Sequence, residues 1–238
     1  MEKLRVYKKD LPYSYTLGPF PTFEIIEKRP QWVSRVILSK DFSEKEKMIE
    51  KLEDKGISYS FEDKTLERIG NRKKIFAAAV FDKVESPVEK GNHVLLEEVR
   101  DMGNLGSIIR TMAGFDFKNL VLLGNTCDPF HPKVIRGSMG SFFTIHLSCY
   151  KNLEEYKRAW PDQKIHGFLL NKASTKVHEE KFEEPFTLAF GNEGAGLSED
   201  FHNEEVSPVF IPQSDQIDSL NLTLACGIAM YESRRKHV

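Results

Sequence analysis

From His93 onward the chain alternates short apolar runs with helix-like stretches, and that rhythm limits the folds open to it. Strand signals fall at His93–Val99, Asn119–Gly124, Phe142–Leu147, Ile165–Leu170, Phe186–Phe190 and Val206–Ile211. Several are almost continuously apolar, as expected of strands buried on both faces. Helices are expected between them at about Leu105–Ala113, Lys133–Ser138, Asn152–Trp160, Ser198–Asn203 and Ser219–Arg235. A repeated strand–helix order predicts an α/β fold, with a mostly parallel sheet covered on both sides. Between Leu220 and Tyr231 the last helix is apolar nearly all round, which predicts burial.

The front of the chain reads as a smaller α/β unit. Val33–Ser39 is a strand. Ser43, with Glu46 three residues on, suggests a capped helix that ends at Gly56. Ile57–Phe61 and Lys74–Phe81 read as strands, and Thr65–Ile69 as a short helix. Four prolines in the first 30 residues break any long element there, leaving Thr22–Lys28 as one or two helical turns. Ser86 to Asn92 combines proline, glycine and polar residues like a linker. The expected domains are therefore 1–88 and 89–238.

Composition excludes several classes. With 238 residues, 40% hydrophobic and 29% charged, the chain is an ordinary globular protein and neither disordered nor fibrous. Net charge is −2, but it is unevenly spread: residues 1–90 hold 19 Lys/Arg against 16 Asp/Glu, and the remainder 15 against 20. A basic front can still form a nucleic-acid surface. Three cysteines with no C-x-x-C pair give no disulfide framework and no zinc knuckle. The start, Met1 to Arg5, lacks the apolar stretch of a signal peptide, and no apolar run reaches the roughly 20 residues of a membrane span. The expectation is a cytoplasmic protein with no membrane and no metal.

Three stretches carry candidate chemistry, each just past a strand, where open α/β sheets bind ligands. Glu98 to Thr111 runs through a glycine-containing turn into a helix that Asn104 can cap, with Arg110 two turns in. Leu188 to Ser198 has Gly191, Gly194 and Gly196 spaced G-x-x-G-x-G, unlike a dinucleotide fingerprint, with Glu193 inside the loop. Val209 to Asn221 ends a strand at Pro212, crosses a polar loop, and reaches two possible caps, Ser219 and Asn221. Capped helices and tight turns alone would give similar patterns. No Ser–His–Asp or Cys–His arrangement can be assigned.

In order and spacing these stretches resemble the motifs of the SpoU/TrmH class of RNA ribose 2'-O-methyltransferases in the SPOUT superfamily. Asp101, Asn104, Gly106, Arg110 and Thr111 are similar to the D-P-x-N-x-G-x-x-x-R-T pattern. Lys133 to Gly140 is similar to K-x-x-R-x-S-x-G. Gly191, Glu193 and Gly196 resemble the second motif. Ile211, Pro212, Ser219, Leu220 and Asn221 resemble the third, I-P-M-x-G-x-x-x-S-L-N. Met102 replaces the usual proline, and Gln213 and Asp215 stand where methionine and glycine are typical.

The resemblance implies an N-terminal L30e-like RNA substrate-binding domain (1–88) and a C-terminal SPOUT domain (89–238) with a deep trefoil knot. It further implies an S-adenosyl-L-methionine cofactor, an rRNA or tRNA substrate and a homodimer. It assigns catalysis to Asn104, Arg110, Glu193, Ser219 and Asn221, and cofactor binding to Gly191, Ile211 and Leu220. Lys28, Arg29, Arg35, Arg72, Lys73 and Lys74 in the basic front are the expected RNA contacts, with Arg110 and Arg136 at the catalytic end. The family gives Arg110 the task of activating the hydroxyl, yet a guanidinium stays protonated in proteins. Orienting RNA and stabilising the developing alkoxide suits it better, with a neighbouring phosphate to accept the proton. Two alternatives share the fold: an RNA-binding protein without methyl transfer, and a base-methylating SPOUT enzyme.

Overall fold

The computed structural model describes residues 4–71 and 74–235. The chain forms two compact units, one of residues 1–84 with 128–144 and one of 85–127 with 145–238.

The first unit holds strands β1 (Tyr13–Tyr15), β2 (Val33–Leu38), β3 (Tyr59–Phe61) and β4 (Ala77–Asp82), and helices α1 (Pro19–Lys28), α2 (Lys45–Asp54) and α3 (Asp63–Ile69). The sheet order is β1-β4-β2-β3, with β4 antiparallel to both neighbours and β2 parallel to β3. β4 is buried along its length except for Asp82, and its alanines let α1 lie close. Prolines that break other elements here open α1, since proline fits a helix's first turn. The three residues of β1 carry too short a pattern to read from sequence. Helix α2 begins after Glu44, so Ser43 is not its cap.

Segment 128–144 was expected in the second domain and instead packs within the first unit. Asp128 accepts a hydrogen bond from the Tyr7 hydroxyl and lies 3.8 Å from Lys83 Nζ. Ser14 Oγ donates to the Phe130 carbonyl at 2.5 Å. Phe143 sets its ring edge-on to Phe81 and Trp32, and Phe142 packs on Phe130. These contacts also correct the strand expected at Phe142–Leu147. Ser141–Thr144 is a 3-10 turn committed to the aromatic cluster, and the strand starts at His146. Helix α5 (Pro132–Gly137) lies in this segment.

The second unit is a seven-stranded parallel sheet in the order β7-β6-β5-β10-β8-β11-β9. Its strands are β5 (His93–Glu97), β6 (Asn119–Leu123), β7 (His146–Tyr150), β8 (Lys164–Phe168), β9 (Thr175–Lys176), β10 (Phe186–Phe190) and β11 (Val206–Phe210). Its helices are α4 (Met102–Gly114), α6 (Leu153–Ala159) and α7 (Leu222–Arg234). An α/β fold with a parallel sheet was thus legible in the sequence. Asn152 caps α6 as expected, accepting from Glu155 N at 2.9 Å. Asp101, and not Asn104, caps α4. Asn221, and not Ser219, caps α7. Residues 199–201 form only a 3-10 turn. Helix α7 departs from its expected burial: Leu224, Ile228 and Tyr231 are 59%, 37% and 53% exposed, because the chain itself covers only one side of it. Among the described residues no helix is long and apolar enough to cross a membrane.

His166 on β8 is 3% exposed, packed against the rings of Phe182 and Phe186. Neither ring nitrogen has a hydrogen-bond partner among the described residues. Burial, helped by the Lys164 cation, pushes its pKa from 6.5 down to about 4, despite a Glu180 oxygen at 3.4 Å. The unfolded chain therefore takes up this proton at a higher pH than the folded chain. Stability is full above pH 6.5 and falls as pH drops towards 4, by up to about 3 kcal/mol from this ring. His166→Leu should flatten that decline in urea unfolding measured across the window; an unchanged pH slope would contradict the assignment.

Candidate active site

The C-terminal ends of β5, β10, β8 and β11 lie side by side in the parallel sheet, so their following loops share one edge. Backbone contact fixes the loop after β10. A Cβ on Gly191 would lie 1.9 Å from Gly196 C, 2.0 Å from its O and 2.1 Å from Leu197 N. Asn192 and Gly196 exchange both backbone hydrogen bonds, at 3.0 and 2.9 Å, so the loop closes on itself. The Asn192 side chain ties it together. Its Oδ1 accepts from Gly194 N at 2.9 Å and Ala195 N at 3.3 Å, and its Nδ2 donates to the Glu98 carbonyl at 2.9 Å. Glu98 itself sits at φ +50, a left-handed conformation uncommon outside glycine. Below it the Glu97 carboxylate accepts from Ser198 N at 2.8 Å and Ser198 Oγ at 2.7 Å. Ser198 is thus tied to β5 and caps no α-helix. Sequence reading missed Asn192 and Glu97; a loop of three glycines needs a polar organiser, and that was the available signal.

A cavity of about 390 Å³ opens beside this loop. Five of the sequence-predicted residues line it: Gly191, Glu193, Ile211, Ser219 and Leu220. The wall also includes Phe168 at the end of β8 and Leu169 to Asn171 from the loop after it, which carried no recognisable motif. Phe168 and Phe190 stack at 4.5 Å with an interplanar angle of 13°, giving part of the lining a flat aromatic face. The unusual Gln213 lines the wall and donates from Nε2 to the Asp218 carbonyl at 3.2 Å. Asp215 forms an ion pair with Lys172, so Gln213 is accommodated within its own loop and Asp215 by the loop after β8. Met102 takes the first position of α4, where the usual proline would also fit.

Asn104 joins the motifs. Because Asp101 caps α4 by accepting from Asn104 N at 2.7 Å, the Asn104 side chain is left available. Its Nδ2 donates to Glu193 Oε1 at 3.1 Å. Its Oδ1 accepts from Asn221 Nδ2 and from Thr223 Oγ1, both at 3.3 Å. The arrangement follows from the packing of α4 beside α7, in the same chain direction. Thr111 faces Gly227, Phe115 meets Tyr231 edge-on at 6.3 Å, and Arg234 donates to the Asp116 carbonyl at 3.0 Å.

The remaining predicted residues are not gathered here. Arg110 is exposed on α4, outside the cavity wall, and its side chain makes no hydrogen bond or ion pair among the described residues. Arg136 is exposed on α5 in the first unit. Arg35 on β2 is largely covered and faces Glu62 at 3.8 Å, so its charge is partly engaged within its own unit. Lys74 pairs with Asp41 at 3.3 Å, both exposed. Arg72 and Lys73 lie outside the described residues. Among the described residues no group of three or more His, Cys, Asp or Glu is placed to hold a metal ion.

Residues 91–231 match the SpoU rRNA Methylase family. The chain belongs to this family. Among relatives, it is 33% identical over 144 residues to an uncharacterized tRNA/rRNA methyltransferase of Synechocystis, covering 60% of this chain and 53% of that one. It is 32% identical over 160 residues to a 23S rRNA (guanosine(2553)-2'-O)-methyltransferase of Bacillus subtilis, covering 66% and 64%. The chain therefore spans roughly half to two thirds of the length of these relatives. An AdoMet-bound rRNA methyltransferase from Sinorhizobium meliloti superposes with a TM-score of 0.82 and 27% identity, covering 95% of this chain and 88% of that structure.

Of the glycines described, Gly191 has the least room for a side chain. Gly191→Ala would force its methyl into backbone, and overpacking of this kind costs about 1–3 kcal/mol. The Gly196 amide should then lose hydrogen-exchange protection, with a lower melting temperature. Wild-type protection of that amide in the variant would show that the loop does not depend on this contact.

Proposed function

We propose that the protein is an S-adenosyl-L-methionine-dependent methyltransferase acting on a ribose 2'-hydroxyl in rRNA or tRNA. The carrying observation is the junction of Asn104, Glu193 and Asn221, which comes from all three motifs and adjoins the cavity lined by Gly191, Ile211, Ser219 and Leu220. The relatives named as 2'-O-methyltransferases of 23S rRNA support the same reaction.

The cavity residues fit the cofactor. The close-packed Gly191 brings backbone to the wall, the lining is largely apolar, and Glu193 and Ser219 add a few polar groups, as in small-molecule sites generally. Bound S-adenosyl-L-methionine would supply an electrophilic methyl group. Gly191, Ile211 and Leu220 would hold its adenine and ribose region through backbone. Asn104, Glu193, Ser219 and Asn221 would fix the position of the ribose, since much of such a rate enhancement comes from alignment. Arg110, exposed and unpaired among the described residues, would orient the RNA and stabilise the oxygen as its proton leaves for a phosphate.

Residues 1–88 are the proposed L30e-like RNA-binding domain, with Arg35, Arg72, Lys73 and Lys74 as its contacts and Arg136 as a contact outside it. The strand order supports a trefoil knot in the second unit. β11 lies two places beyond β10 in the sheet, yet the following α7 returns to pack on α4 and β10. The exposed stripe of Leu224, Ile228 and Tyr231, one helical face of α7, supports a homodimer. A cytoplasmic location fits an RNA substrate and three cysteines that form no disulfide among the described residues.

Incubation with methyl-labelled S-adenosyl-L-methionine and total RNA should place label on ribose. Label on a base, or cofactor binding without transfer, would favour the two alternatives. Arg110→Lys, which loses the planar fork, should lower turnover at least about tenfold, or about 1.4 kcal/mol. Unchanged turnover would refute the role given to this side chain. Leu224→Glu should shift the protein to a monomer in sedimentation velocity; an unaltered dimer would move the interface elsewhere.

A further inference from the structure

Thr223 lies outside every motif discussed above, yet it contacts the Asn104 junction twice. Its hydroxyl donates to Asn104 Oδ1 at 3.3 Å, and its backbone N–H donates to Asn221 Oδ1 at 2.9 Å. We infer that Thr223 is a positioning residue that sets which end of the Asn104 carboxamide faces Glu193.

The argument follows the donors. The free N–H of Thr223, in the first turn of α7, can only donate, so it selects the oxygen of the N-cap Asn221. That choice turns Asn221 Nδ2 outward, where it donates to Asn104 Oδ1. The Thr223 hydroxyl adds a second donor to the same oxygen. With Oδ1 facing two donors, Asn104 must present Nδ2 to Glu193 Oε1. The reversed carboxamide would set an NH2 against the Asn221 NH2 and an oxygen against a carboxylate. Both contacts are repulsive, and only the Thr223 hydroxyl, which can accept as well as donate, could take up one proton of the reversed NH2. Asn104 and Thr223 are half-buried, so water replaces a lost partner only in part. Asn104, Asn221 and Thr223 all stand outside the cavity wall. A change at Thr223 should therefore disturb the position of Glu193 while leaving in place Gly191, Ile211 and Leu220, whose backbone is the proposed hold on the cofactor.

The kinetic consequence rests on the proposed methyl transfer; the orientation itself does not. Thr223→Val keeps the shape of the side chain and removes the hydroxyl, and Thr223→Ser restores it. In nitrogen-15 labelled protein the Asn104 side-chain NH2 signal, identified by its loss in Asn104→Asp, reports the junction directly. Its exchange with water should become several-fold faster in Thr223→Val and return to the wild-type rate in Thr223→Ser. Turnover should fall about tenfold in Thr223→Val with the KM for S-adenosyl-L-methionine unchanged within about twofold, and recover in Thr223→Ser. Unchanged exchange in Thr223→Val overturns the inference. Faster exchange with undiminished turnover overturns the positioning role. A wild type that transfers no methyl group sinks the functional reading, while the exchange comparison still decides the orientation.

Discussion

The site depends on a place where backbone meets backbone. Gly191 lies so close to Gly196 and Leu197 that no side chain fits between them. The loop after β10 is thereby folded flat on itself, and Asn192 can reach across to the Glu98 carbonyl at the end of β5. That one hydrogen bond ties two neighbouring strands at their C-terminal ends. Glu193, the next residue along, is carried to Asn104 as a result. With a larger residue at 191 the loop would stand away from the sheet, and the motifs would not meet.

A second constraint acts through helix capping. Asp101 takes the capping role at α4, and this frees Asn104 to act as a hub. At α7 the cap itself, Asn221, does both jobs: Oδ1 satisfies a helix N–H and Nδ2 reaches Asn104. Ordinary helix-end chemistry thus orients the polar groups of the site, and short polar side chains at these positions are needed for two reasons at once. Thr223 shares in both bonds. The polar junction is small, so each donor in it has a decisive effect on direction.

Much of the second unit could be read directly from sequence. The continuous apolar runs at 93–97, 119–123 and 186–190 are what strands covered on both faces require, and they are strands. Asn152 with Glu155 marked a helix start correctly because the capping bond is local. Errors arose where a local pattern met a distant partner. Phe142 and Phe143 look like strand residues, but Phe81, Phe130 and Trp32 draw them into an aromatic cluster of the first unit. Ser198 looks like a helix cap, but the Glu97 carboxylate takes both its donors. The stripe Leu224, Ile228 and Tyr231 was read as core because an apolar sequence does not say which chain covers it.

By itself the sequence determined the class of fold, the order of its elements and the identity of most polar residues near the cavity. Periodicity, glycine spacing and cap chemistry are short-range properties, and they survive in a one-dimensional reading. Only the tertiary structure decided that segment 128–144 packs with the N-terminal unit, that the loop after β8 lines the cavity, and that Asn104, Glu193, Asn221 and Thr223 form one network. Those facts join residues up to 121 positions apart. Their physical basis is the packing of α4 beside α7 and the closure of the glycine loop, both of which depend on contacts that no local pattern records.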